Sequence, residues 1–242
     1  DAAIVVGSFL PALLWGVAFA NIVRGVPMKS GGFDNSLYDG GFFNLLNPYA
    51  LIGGLTTLTL FVTHGAIFLA LKTDGDLRVR ANKVAGQVGL IATVIAVIFL
   101  LWTQLAYSDK VWTWALVVVA AVCWLAGLAM NRAGREGWAF IFSAITLAGA
   151  VAYLFSVLYP NVMPASNDPA LSLTIWNASS TDYTLKIMTV VAVIFTPIVL
   201  AYQSWTYWVF RKRVSPSQIS DAGEGSLDLP GEGQKPGETV GV

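Results

Sequence analysis

Acidic and basic side chains are missing from the middle of every long apolar run in this sequence. Cysteine and histidine occur once each, and only 12% of the residues are charged. Each scarcity excludes something. A lone Cys123 can form neither an internal disulfide nor a thiolate cluster, and reads as a small apolar packing residue. A formal net charge of zero argues against a basic nucleic-acid surface. Intramembrane charges mark ion and proton routes, so their absence at depth disfavours an autonomous proton pump or ion-coupled carrier. The chain opens with Asp1 and runs straight into apolar residues, with no basic region or small-residue cleavage site of a signal peptide. The expectation is a fragment or processed chain, with membrane segments missing upstream.

What is abundant is apolar. Hydrophobic residues make up 56% of the 242, and the mean hydropathy is +0.66. A soluble domain carries about 25% charged residues, so a bilayer is the natural solvent here. A spanning helix needs about 20 mostly apolar residues. Six stretches qualify, near 2–23, 50–71, 84–107, 111–130, 138–159 and 185–210. They are too long for strands and lack the alternation of a membrane barrel. The expected fold is therefore an all-α polytopic membrane protein, with one four-helix bundle plus flanking helices.

Basic residues in short loops favour the cytoplasmic side. If the first span enters from the cytoplasm, Lys72, Arg78, Arg80, Lys83, Arg132, Arg135, Arg211, Lys212 and Arg213 lie inside, and Arg24, Lys29, Lys110 and Lys186 outside. Nine against four predicts a cytoplasmic C-terminus. The loops 24–49 and 160–184 then face outward. The first is rich in Gly, Asn and aromatics and the second in Pro, Asn and Ser, and both are long enough to be partner-binding. Residues 215–242, rich in Gly, Pro and Glu, read as a disordered cytoplasmic tail.

His64, within "LTLFVTHGAIFLALK", is the single ionisable ring at depth. Three readings stay open: a hydrogen-bonded packing residue, a cofactor or quinone contact, and a metal or haem ligand. The chain offers no second histidine for a bis-histidine haem, and no cysteine or carboxylate at helical spacing for zinc. The packing reading predicts a buried, mostly neutral imidazole bonded between helices of the bundle. In "SFLPALLWGVAFANIVRGVP", Pro11 can kink the helix, while Trp15, Asn21 and Arg24 fall toward its outer half. Asn21 and Arg24, three apart, could act at one spot. His64, Arg24, Asn21 and Trp15 form the set of candidate contacts for a quinone or a partner. In the last span, Pro197 could likewise kink the helix. Tyr202, Trp205, Tyr207 and Trp208 precede three basic residues there, the pattern of an interfacial anchor.

Three ordered stretches carry a family resemblance: "GSFLPALLWGVAFANIVRGVP", "LLNPYALIGGLTTLTLFVTHGAIFLALKTDGDLRVRA" and "TLKIMTVVAVIFTPIVLAYQSWTYWVFRKRV". Together they resemble subunit II of cytochrome bd quinol oxidase, over most of residues 5–214. The resemblance implies nine helices in two four-helix bundles plus a peripheral helix, with the first three helices absent from this sequence. It also implies a partner subunit I carrying haems b558, b595 and d and the quinol-oxidising loop. Subunit II would be needed for assembly and could hold a structural quinone. The complex would draw on the membrane quinol pool and reduce oxygen to water in a bacterial cytoplasmic membrane, as part of aerobic electron transport. No catalytic residue and no metal ligand is carried over to this chain. The alternative is a small-molecule transporter or exporter component, which paired helix interruptions would favour.

Overall fold

In the computed structural model, described over residues 2–31 and 35–213, six helices are long and apolar enough to cross a membrane. They are α1 (Ala2–Arg24), α2 (Pro48–Lys72), α3 (Gly75–Ala106), α4 (Thr113–Arg132), α5 (Glu136–Leu158) and α6 (Asp182–Val209). The expected tail, 215–242, lies outside the described residues. Helices α2 to α5 pack in a closed ring, each against the next and α5 back onto α2, and α1 lies on the outer side of α2.

Small residues let α1 and α2 approach closely. A Cβ at Gly16 would sit 2.2 Å from Thr57 Oγ1 and 2.4 Å from the Gly53 carbonyl, and one at Gly54 would sit 2.9 Å from the Leu13 carbonyl. Thr57 Oγ1 donates across this contact to Ala12 O at 2.8 Å. Between membrane helices, where water supplies no hydrophobic drive, such contacts and bonds provide the adhesion. The proline-containing helices, α1 through Pro11 and α6 through Pro197, run unbroken.

The bundle core is layered along its length. An aromatic layer around Tyr49 and Phe99 lies at the end that carries loop 24–49. Leu60, Ala92, Trp124 and Leu128 fill the middle, and Ile67, Ala85 and Ala139 the opposite end.

One boundary differs from expectation. The span expected near 84–107 begins at Gly75, so most of the stretch 73–83 is helix, and only Thr73 and Asp74 join α2 to α3. Hydropathy stops where the charges start, but the helix does not. Its polar extension is held by tertiary bonds, with Arg78 reaching Glu136 and Asn82 pairing with Asn131.

The two long loops also carry structure that hydropathy does not reveal. Strands β1 (Met28–Gly31) and β2 (Asn35–Tyr38) form a hairpin, and β3 (Asn161–Met163) pairs with β4 (Leu173–Thr174). The loops clasp each other. Val26 N donates to Pro164 O and Ser166 N to Val26 O, while the Asn167 amide pairs with both backbone groups of Met28, at 2.8 and 2.7 Å. Helix α6 is exposed along its length and, among the described residues, is tied to the bundle by polar bonds at the end that bears Arg211, Lys212 and Arg213.

Candidate functional site

The polar side chains inside the bundle form small separate groups that join two or more helices. In the aromatic layer, Tyr49 and Thr103 hydroxyls meet at 2.9 Å. Gln104 Oε1 accepts from Tyr153 and from Thr113, each at 3.0 Å. One amide oxygen thus joins α3, α4 and α5. Close by, Lys110 Nζ donates to the carbonyls of Ser156, Val157 and Tyr159, placing a cation on the negative end of the α5 dipole.

Midway, Trp124 Nε1 donates to Thr93 Oγ1 at 2.9 Å. His64 meets α5 through Ser143, with 2.8 Å between Nδ1 and Oγ. The Ser143 hydroxyl also donates to Phe140 O at 2.9 Å. A hydroxyl has one proton, so with that proton on Phe140 O the imidazole donates through Nδ1 and leaves the Nε2 lone pair free. The Phe140 ring stacks on the imidazole at 4.8 Å.

At the end opposite the hairpin, Arg78 grips Glu136 Oε1 with Nη2 at 2.7 Å and Nε at 2.9 Å. Arg213 pairs with Asp74 at 3.0 Å and lies 3.6 Å from the other Glu136 oxygen. The Glu136 side chain is only 6% exposed and is the focus of this network. Among the described residues, no buried side-chain nitrogen or oxygen lacks a partner.

The four candidates from the sequence do not converge. Asn21 is buried, at 4% exposure, and fully engaged: its amide donates to Val17 O and Leu45 O, and its oxygen accepts from Asn47. Asn47 in turn caps α2 by accepting from Ala50 N at 3.0 Å. Asn21 therefore fastens loop 24–49 to the start of α2. Arg24, three residues on, is exposed while Asn21 is buried, so the two do not form one spot. Trp15 is 58% exposed, stacks on Phe19, and lines an apolar cleft of about 260 Å³ between α1, α2 and α5. His64 is half-buried rather than fully buried, because its ring sits at the α2–α5 seam instead of on the bundle axis. It lines neither that cleft nor the apolar cavity of about 140 Å³ enclosed by α2 to α5.

Sequence reasoning missed Ser143, Tyr153 and Asn131. A serine or a tyrosine in an apolar span carries no mark of the partner that the fold will bring to it. Glu136 did carry a signal, as a carboxylate opening a membrane helix.

A bis-histidine haem would need a second imidazole, which this sequence lacks. Among the described residues no three of His, Cys, Asp or Glu come together. The one imidazole has Nδ1 on Ser143 and one face under Phe140.

A family model described as cytochrome bd terminal oxidase subunit II matches residues 1–210. The chain is 36% identical over 234 residues to a probable cytochrome oxidase subunit 2 of Haemophilus influenzae, covering 83% of this chain and 62% of that protein. It is 31% identical over 252 residues to the cytochrome bd-I ubiquinol oxidase subunit 2 of Escherichia coli, covering 90% and 66%. It is 34% identical over 215 residues to the cytochrome bd ubiquinol oxidase subunit 2 of Bacillus subtilis, covering 86% and 62%. The chain thus spans a little under two thirds of the length of these relatives. The transporter alternative finds no support among them, nor in the two unbroken proline-containing helices.

Proposed function

The chain belongs to the cytochrome bd terminal oxidase subunit II family, and we propose that it serves as the scaffold subunit of a quinol:oxygen oxidoreductase in a bacterial cytoplasmic membrane. In this reading subunit I is its partner and carries haems b558, b595 and d. Electrons come from the quinol pool and end on oxygen, forming water.

One observation carries the scaffold role. Among the described residues most buried polar side chains bond across helix seams, and no buried side-chain nitrogen or oxygen is left without a partner. A catalytic site keeps perturbed or unsatisfied groups in a cleft. Here the cavity enclosed by α2 to α5 and the cleft beside Trp15 are both apolar, and neither gathers a set of polar groups. Of the four sequence candidates, Trp15 is the one suited to a structural quinone or to the partner, because it alone borders a cleft open to lipid. The basic bias of the Arg78 and Arg213 end supports its cytoplasmic placement, and with it a cytoplasmic C-terminus.

The test is co-purification. A tag on this chain should draw out of native membranes a complex with a reduced-minus-oxidised haem spectrum. The chain expressed without its partner should show no haem band. A stoichiometric haem on the isolated chain would overturn the scaffold reading, and a tagged chain free of any haem protein would overturn the oxidase reading.

A further inference from the structure

A cleft of about 590 Å³ lies between the ends of α2 and α6, at the basic end of the bundle. Phe68 supplies an apolar wall, Gln203 and Thr206 neutral polar groups, and Lys72, Lys212 and Arg213 three cations. We propose that this cleft seats the headgroup of one anionic phospholipid, with an acyl chain lying along the exposed flank of α6. The proposal does not depend on the oxidase reading.

The charge balance is the first argument. Arg213 is neutralised by Asp74 and Glu136, which also takes Arg78. Lys72 Nζ uses one donor on Phe210 O at 2.8 Å and keeps two N–H groups. Lys212 makes no hydrogen bond or ion pair among the described residues. Two ammonium groups therefore border one cleft in excess of the carboxylates near it. An excess of cation in a site walled partly by protein and hydrocarbon favours an anion there more strongly than in open water.

The second argument is the helix ends. Both α2 and α6 terminate here, and their carbonyls oppose a bound anion. That opposition is partly removed, because Lys72 covers Phe210 O and Arg211 donates to Trp208 O at 2.9 Å while stacking on the Trp208 ring. The third is position. Basic pockets between membrane helices at the headgroup level are the places where anionic lipids settle. Phe68 and Phe210 give the cleft the apolar side that an acyl chain needs and that a small soluble anion would not use. Basic residues serving insertion alone would project into water, whereas these border a shared hollow.

The test uses the protein in the complex with which it purifies. Wild type and a K72Q/K212Q variant are reconstituted in vesicles of phosphatidylcholine with phosphatidylglycerol, re-extracted, and the bound lipids counted by native mass spectrometry. Glutamine keeps a donor for Phe210 O but removes the charge. Retention of phosphatidylglycerol should fall on the order of tenfold or more in the variant, with phosphatidylcholine retention unchanged. A photoreactive residue at Tyr207, which also lines the cleft, keeps the test valid if the variant fails to assemble. In otherwise unaltered protein it should cross-link to phosphatidylglycerol. Equal phosphatidylglycerol retention by the two proteins would overturn the proposal. So would a Tyr207 cross-link to another protein or to residues 214–242 of this chain.

Discussion

Substituting Gly16 by alanine adds one methyl group, and its effect can be worked out from the α1–α2 contact. The new Cβ would sit 2.2 Å from Thr57 Oγ1, 2.4 Å from the Gly53 carbonyl oxygen and 2.7 Å from Gly54 Cα. Two of these three are backbone atoms, so no flexible side chain can move aside, and α1 must shift outward by about 1 Å or more to reach ordinary van der Waals distance. The shift would stretch the 2.8 Å bond from Thr57 to Ala12 O beyond useful length. Overpacking costs about 1–3 kcal/mol, and a lost interhelical bond in a membrane about 0.6 kcal/mol. The expected destabilisation is thus about 2–4 kcal/mol. Gly7, on the same helix, has nothing within 4 Å of its would-be Cβ, so Gly7→Ala should be neutral or slightly stabilising. The assay is denaturation of the purified protein by SDS in mixed micelles, followed by tryptophan fluorescence. If Gly16→Ala and Gly7→Ala unfold at the same SDS fraction, the close α1–α2 contact is wrong.

His64→Gln should keep an interhelical bond to Ser143, preserving assembly and haem content. His64→Leu should lower the yield of complex moderately and leave the spectrum of the surviving complex unchanged; loss of a haem signal from fully assembled His64→Gln complex would make the ring a ligand. Glu136→Gln should destabilise by about 1–3 kcal/mol, since two partly solvated arginines lose the nearly buried carboxylate they share. Restoring stability by adding Arg78→Met, read by the same SDS titration, would confirm that the cost is the stranded cation. Single cysteines at Asp39 and Thr73, probed with an impermeant thiol reagent, should label from opposite faces of the membrane. Labelling from one face would refute the assigned orientation.

The spans were legible because a bilayer imposes a length and a composition that a sliding window detects directly. Every expected span corresponds to a helix, and the one large boundary difference, at Gly75, arose where charged residues continue a helix beyond the hydrocarbon. Individual roles were less legible. Asn21 looked like a contact residue because amides at depth are uncommon, yet its partners Leu45 O and Asn47 sit in a loop whose path only the fold reveals. His64 was read correctly as bonding between helices, but not its partner Ser143, which lies 79 residues away. The clasp between the two loops was invisible for the same reason, since Met28 and Asn167 are separated by 139 residues.

That long separation has a counterpart at the basic end, and there it becomes a matter of time. Asp74 and Arg213 are also 139 residues apart. At about 5–20 residues per second, Asp74 leaves the ribosome roughly 7–28 s before the arginine that pairs with it. Once Glu136 has also emerged, it can hold Arg78 but has an oxygen to spare. A nascent chain arrested between Glu136 and Arg213 presents Asp74 without the arginine that neutralises it. The last ion pair at the basic end of the bundle therefore closes only after the sixth span has been made.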